Sequence, residues 1–250
     1  MGLFDMFKKA NDQEVSAQKQ DQILETHKVN LSKSIVDLTK KTGLNLSNHK
    51  ARVVVVMDYS LSMRDRFTDF SGVDTCDVQK SLVKLFPFAL KFDDNQSLDV
   101  FLFSDDFLEI DPMTNQNYAN YTRNVVRENA RQSGFMMGGT EYAPILEHLV
   151  KYVDNTIPTY VVFITDGDNA DKNRTTEIIR KSSEKNIFIQ FIGIGGSRFD
   201  YLDKLDNLDG RECDNTGFCK FASIAIASDS QVYDLLIQEY ANWLRVRGII

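Results

Sequence analysis

Arg52-Val53-Val54-Val55-Val56-Met57-Asp58-Tyr59-Ser60-Leu61-Ser62 is the stretch whose reading decides the fold. Four consecutive valines form an apolar, β-branched run. Such a run fits a strand buried on both faces, as in a parallel sheet covered by helices. The apolar run stops at Asp58, and two hydroxyls follow at alternate positions, Ser60 and Ser62. Side chains of an extended loop alternate in direction, so these three oxygens can face one side.

Working outward, three further apolar runs read as core strands: Leu98–Phe103, Tyr160–Thr165 and Ile187–Ile192. A last strand is expected near Phe221–Ile226. Helical patterns lie between or after them at Val78–Phe92, Tyr121–Arg131, Tyr142–Asp154, Thr175–Lys185 and Gln231–Leu244. Strands alternating with helices pair in parallel through right-handed crossovers. Phe107–Ile110 follows the Leu98 strand after a tight Ser-Asp-Asp turn and reads as a short antiparallel edge strand. The expected fold is a doubly wound, mostly parallel open α/β sheet with helices on both faces, Rossmann-like in layout. Ligands of such sheets bind beyond the carboxyl ends of the strands, where strand order reverses.

Residues 1–30 read as a polar N-terminal arm, partly disordered or helical, and residues 31–250 as the folded domain. Within them Ile23–Leu38 suggests a broken amphipathic helix that Gly43 stops. Leu3, Phe4 and Phe7 can share a face of a short helix, giving at most weak membrane or partner contact through the arm. No stretch is long enough to span a bilayer, and the N-terminus lacks a secretory signal, which together imply a cytoplasmic protein. The net charge of −7 argues against nucleic acid, whose binding rests on clustered Lys and Arg. Three cysteines, Cys76, Cys213 and Cys219, suit a reducing compartment and free thiols.

Two other segments add oxygens at strand ends. Gly138-Gly139-Thr140 supplies a flexible turn and a third hydroxyl, and Asp166 of Thr165-Asp166-Gly167 ends the third core strand. Each string alone is ordinary turn or cap chemistry. Their conjunction at strand-end loops of one sheet is what points to a hard divalent cation, which takes oxygen ligands and retains waters. Asp168, Asp171 and the Ser104-Asp105-Asp106 turn are read as solvated loop or turn residues. The Asp206–Lys220 loop lacks calcium-loop spacing, and Trp243 with Tyr240 and Leu244 reads as a packing face.

Asp58-Tyr59-Ser60-Leu61-Ser62, Thr140 and Asp166 resemble the three parts of the metal-ion-dependent adhesion site of von Willebrand factor A (vWA) domains. The resemblance spans about residues 25 to 245 and is closest to the bacterial tellurium-resistance, TerF-like vWA subfamily. Further similar stretches are Phe86–Asp94, Leu98–Asp105, Gly138–Pro144, Phe163–Gly167, Gln190–Gly195 and Leu205–Arg211. The resemblance implies one Mg²⁺, with Mn²⁺ or Ca²⁺ as alternatives. Ser60, Ser62 and Thr140 would bind it directly, and Asp58 and Asp166 directly or through water. The open position would take an Asp or Glu of a protein partner, within a tellurium-resistance or stress-response system. Glu141, beside Thr140, is an intramolecular candidate for that position. Leu61 departs from the family, in which many members carry Gly there. Two other functions stay open: an Mg²⁺-dependent phosphoryl hydrolase using Asp58, and a scaffold with no metal. The hydrolase needs a second Asp where Ser60 stands, and no nucleophile–base pair, Walker loop or dinucleotide fingerprint occurs.

Overall fold

The computed structural model describes residues 3–68 and 76–250, with side chains from residue 18 onward. In chain order the elements are α1 (Leu3–Thr42), β1 (Arg52–Asp58), α2 (Asp77–Phe92), β2 (Leu98–Phe103), β3 (Phe107–Met113), α3 (Arg127–Ser133), α4 (Ala143–Tyr152), β4 (Thr159–Thr165), α5 (Lys172–Ser182), β5 (Ile187–Ile194), α6 (Asp200–Asp206), β6 (Thr216–Phe221) and α7 (Asp229–Val246). A short 3₁₀ helix spans Leu61–Phe67, and a π-helical turn at Thr122–Val126 precedes α3.

One six-stranded sheet has the order β3-β2-β1-β4-β5-β6. All neighbours are parallel except β2 and β3. The chain runs outward from β1 to β2, then returns to place β4 on the other side of β1. Strand order therefore reverses beside β1, and in such sheets ligands bind beyond the carboxyl ends of the strands at that point, here β1 and β4.

The valine run explains why β1 is central. Val53, Val55 and Met57 join the core with α1, α2 and α7, while Val54 and Val56 join the other with α4, α5 and α6. The period of two divides one strand between two hydrophobic layers. Val54, Val55 and Val56 are fully buried, and each buried valine contributes about 1.5–3 kcal/mol.

Three segments differ from the sequence reading. The expected broken helix at Ile23–Leu38 is part of one continuous helix, so the boundary at residue 30 falls inside α1. Leu24, Leu31, Ile35 and Leu38 are buried against the body of the fold while Val29 and Val36 stay exposed. The apolar face is continuous once those two valines are assigned to solvent. Asp229 at the start of α7 fixes the register by accepting from His27 Nδ1 at 2.7 Å and Asn30 Nδ2 at 2.9 Å. Against the penalty of burial, these bonds hold its carboxyl below the usual range. Gly43 ends the helix with φ +77°. The contact of Leu3, Phe4 and Phe7 lies outside the described side chains.

The last strand lies at Thr216–Phe221, five residues before the expected start. The apolar run that suggested Phe221–Ile226 instead turns: Ala227 N donates to Ser223 O at 3.2 Å, Ile224 enters the core and Ile226 is 79% exposed. As an edge strand, β6 needs little apolar sequence, so Lys220 is tolerated there. The helix expected at Tyr121–Arg131 begins as the π turn, and α6 was not anticipated. None of the three cysteines forms a disulfide.

Leu31→Ala tests whether α1 belongs to the fold. Leu31 is 2% exposed, so its truncation is expected to cost about 2–4 kcal/mol in urea unfolding. A loss below about 0.5 kcal/mol, the size of an exposed substitution, would contradict the docking.

Candidate metal centre

The site begins where β1 ends. Asp58 has no exposed surface, and its carboxylate is held at both oxygens. Ser60 N donates to Oδ1 at 2.8 Å and Thr165 Oγ1 to Oδ2 at 2.6 Å. Thr165 is the last residue of β4, so this bond ties the two central strands at the switch point. Beyond Asp58 the chain stays extended just long enough for Ser60 to bridge Gly138, and Leu61 N donates to Gly138 O at 3.1 Å. The 3₁₀ turn then brings Ser62 back: its Oγ lies 3.0 Å from Ser60 Oγ and donates to Asp166 Oδ1 at 2.8 Å. Tyr59 points the other way, edge-on to Phe67 and stacked on Phe135 at centroid distances of 5.1 and 5.9 Å.

The loop carrying Thr140 lies beside the first, since Ser60 pairs with Gly138 two residues before Thr140. Gly138 and Gly139 are required there because a Cβ on either would stand 2.2 or 2.3 Å from an Asp105 carboxylate oxygen. Gly139 N donates to Asp105 Oδ1 at 3.0 Å, and Glu141 N to Ser104 O at 2.8 Å. Thr140 O accepts from Ala170 N at 2.9 Å, which links this loop to the one carrying Asp166. Its half-buried hydroxyl has no hydrogen-bond partner among the described residues.

Asp171 is the second support. Its carboxylate accepts from Tyr142 N at 3.1 Å and Ala143 N at 2.7 Å, capping the start of α4. Asn169 Nδ2 and Thr175 Oγ1 hold it in turn at 2.6 and 3.2 Å. Tyr142, fully buried among Phe103 and Phe163, closes the arrangement by donating to Gly167 O at 2.6 Å. Asp105 and Asp171 therefore position the Thr140 loop, a role the sequence reading did not give them. The only local signal was an Asp just upstream of a helical pattern; their real partners lie 34 and 28 residues away. Asp168 is outside the cluster, paired with Lys172 at 2.5 Å on the surface.

The electrostatics follow from burial. Burial pushes the Asp58 carboxyl up to about 6; the hydrogen bonds from Ser60 and Thr165 oppose this and the charge of Asp166 adds to it. The oxygens fit a small hard cation. Metal–oxygen bonds of 2.0–2.1 Å in an octahedron place adjacent oxygens about 2.9 Å apart. The Ser60–Ser62 and Ser62–Asp166 separations of 3.0 and 2.8 Å match that edge. Among the described residues no three His, Cys, Asp or Glu side chains gather for a metal; the donors here are mostly hydroxyls. Leu61 is 54% exposed at the mouth, so the bulk that departs from Gly lies outside the oxygen cluster.

The structure resembles proximal thread matrix protein 1 from the mussel byssus "with zinc occupied MIDAS motif" (MIDAS, the metal-ion-dependent adhesion site), with TM-score 0.54 and 15% identity over 77% of this chain and 48% of that one. It also resembles manganese-loaded Plasmodium vivax TRAP protein, with TM-score 0.50 and 17% identity over 78% of this chain and 74% of that one. The chain thus spans about half the length of the mussel protein, and at these identities the likeness concerns the fold. A sequence relative, "Uncharacterized protein YcbR" of Bacillus subtilis (strain 168), is 34% identical over 220 residues, covering 84% of this chain and 86% of its own. The family model described as "vWA found in TerF C terminus" matches residues 50–248. The chain belongs to the vWA-TerF-like family.

Proposed function

We propose that the chain is a non-enzymatic, metal-dependent protein-binding module. Ser60, Ser62 and Thr140 would hold one Mg²⁺ directly, with Asp58 and Asp166 acting directly or through water. The observation that carries this reading is the connected set Thr165–Asp58–Ser60–Ser62–Asp166, which gathers oxygens from two strand ends at the switch point. The zinc-occupied motif of the mussel protein and the manganese-loaded Plasmodium protein support it by analogy. Bound metal supplies a positive charge and an open position suited to a carboxylate oxygen. The partner is accordingly a protein offering an Asp or Glu, and exposed Leu61 and Met136, 54% and 75% accessible, give it apolar contact at the rim.

A hydrolase using Asp58 is disfavoured by its surroundings. Its carboxylate is fully buried and both oxygens are engaged, and Ser60 cannot serve as the general acid. The setting proposed is the cytoplasm, in a bacterial tellurium-resistance or stress-response assembly, after the family. Among the described residues no helix is long and apolar enough to cross a membrane.

Thr140→Ala tests the proposed ligand set, because among the described residues that hydroxyl supports no hydrogen bond. Mn²⁺ affinity is expected to fall about 10–100-fold, with urea unfolding within about 0.5 kcal/mol of wild type. Magnesium-dependent cross-linking to a partner should disappear in the same variant. Unchanged Mn²⁺ affinity would remove Thr140 from the site, and cross-linking indifferent to chelator would end the metal-dependent reading.

A further inference from the structure

Helix α1 carries a second, smaller apolar stripe. Leu24, Leu31, Ile35 and Leu38 turn one side of the helix into the core. Val29 and Val36 stand on the side facing away from it, 51% and 47% exposed. One heptad apart, they fall within about 20° of a single line along the helix. That is the spacing at which two helices pack along a common seam. Lys33 and Lys40 lie on the same stripe, and Glu25 lies one turn before Val29; all three are exposed.

The charges on this stripe are ordered. Its amino-terminal end carries Glu25 and its carboxyl-terminal end Lys33 and Lys40. Their ion-pair partners within the chain are neighbours one turn away on the same helix. Lys28 Nζ lies 2.7 Å from Glu25, and Lys40 Nζ lies 3.6 Å from Asp37. Exposed pairs of this kind contribute little and exchange readily, so Glu25 and Lys40 are available to other charges.

A stripe that is acidic at one end, basic at the other and apolar between them is complementary to itself when reversed. With a two-fold axis between Ser32 and Lys33, Val29 meets the Val36 of a second copy, and Glu25 meets its Lys40. Symmetry makes each contact twice. Lys33 then falls opposite Ser32, not opposite another cation. Parallel pairing instead sets Glu25, Lys33 and Lys40 each against its own equivalent, and like charges on facing helices repel. A lipid surface fits poorly, because an interfacial helix needs a broad apolar face and this stripe offers two valines with a carboxylate beside them. The buried side of α1 lies opposite the stripe, so the two folded bodies lie on opposite sides of the helix pair.

We propose that α1 pairs antiparallel with the α1 of a second copy of this chain, through Val29 and Val36, with Glu25 and Lys40 setting the direction. The contact is small beside the roughly 800 Å² per partner of a standard interface. Association is accordingly weak and reversible, with a Kd of about 0.1 mM. It uses no residue of the metal centre.

Sedimentation equilibrium of the full chain, from about 10 µM to about 1 mM, tests this. Chelator is present throughout, so that association through bound metal does not contribute. A monomer–dimer equilibrium is expected. Glu25→Lys and Lys40→Glu each turn two attractions into two repulsions, and each should weaken the dimer about fivefold or more. The double variant Glu25→Lys/Lys40→Glu restores both pairs with their signs exchanged and should return to within about twofold of wild type. Val29→Asp should leave monomer only, with thermal unfolding as the check on folding in every variant. A wild-type chain that stays monomeric at about 1 mM would overturn the proposal. Single reversals without effect, the result expected of parallel pairing or of another surface, would also overturn it, as would a double variant no tighter than the singles.

Discussion

Asp171→Ala is expected to lower the unfolding free energy by about 2–4 kcal/mol, although Asp171 is not among the proposed ligands. The substitution removes a charged acceptor from Tyr142 N and Ala143 N at the start of α4. Hydrogen bonds to charged groups contribute about 1.5–3 kcal/mol each, and loss of a helix cap about 0.5–2 kcal/mol. Asn169 and Thr175 lose the same acceptor. The Thr140 loop immediately precedes this helix, so Mn²⁺ affinity should fall along with stability. Urea unfolding and metal titration on one preparation separate the effects. A loss under about 0.5 kcal/mol would show that the clamp does not carry the loop.

Asp58→Asn is expected to weaken Mg²⁺ or Mn²⁺ binding by at least about 100-fold, since it removes the buried charge while keeping the side chain's size. The metal-free protein should respond in the opposite sense. The folded carboxyl titrates at about 6 because of burial, against about 3.9 when unfolded. Between those values the folded state holds a proton that the unfolded state has released. Wild-type stability therefore falls as pH rises from about 4 through 6, and the full penalty remains above that. The variant has no such charge, so without metal it should be more stable than wild type by up to about 3 kcal/mol at pH 8, an advantage gone by about pH 4. Denaturant unfolding at several pH values in chelator measures this. A variant less stable at pH 8 than at pH 4 relative to wild type would contradict the burial account.

The parts legible in the sequence share a physical reason. Val53–Val56 is buried on both faces, so it has no alternation to misread and its position at the sheet centre follows. Asp58, Ser60 and Ser62 lie within five residues, and local spacing was enough to place them on one turn. Asp166 is read from an apolar run that meets a turn, and Thr140 from the Gly138-Gly139 turn before a helical pattern. What escaped was long-range or locally weak. Asp105 and Asp171 look like any loop aspartates until the Gly138–Gly139 turn and the α4 start are brought against them. The edge strand at Thr216–Phe221 carries little apolar signal, while Phe221–Ile226 carries more and turns instead. The continuity of α1 was hidden by Val29 and Val36, apolar residues that the fold leaves in solvent.

The most direct test of the metal-dependent reading is calorimetric titration of Mg²⁺ into chelator-treated protein beside Ser62→Ala. Ser62 joins Ser60 to Asp166 at the surface of the site, so its hydroxyl is lost without opening the core. Saturable one-to-one binding in wild type, weakened about tenfold or more in the variant, is the predicted result. No saturable heat in wild type at millimolar Mg²⁺ would contradict the account and leave a vWA-TerF-like fold that binds its partners without metal.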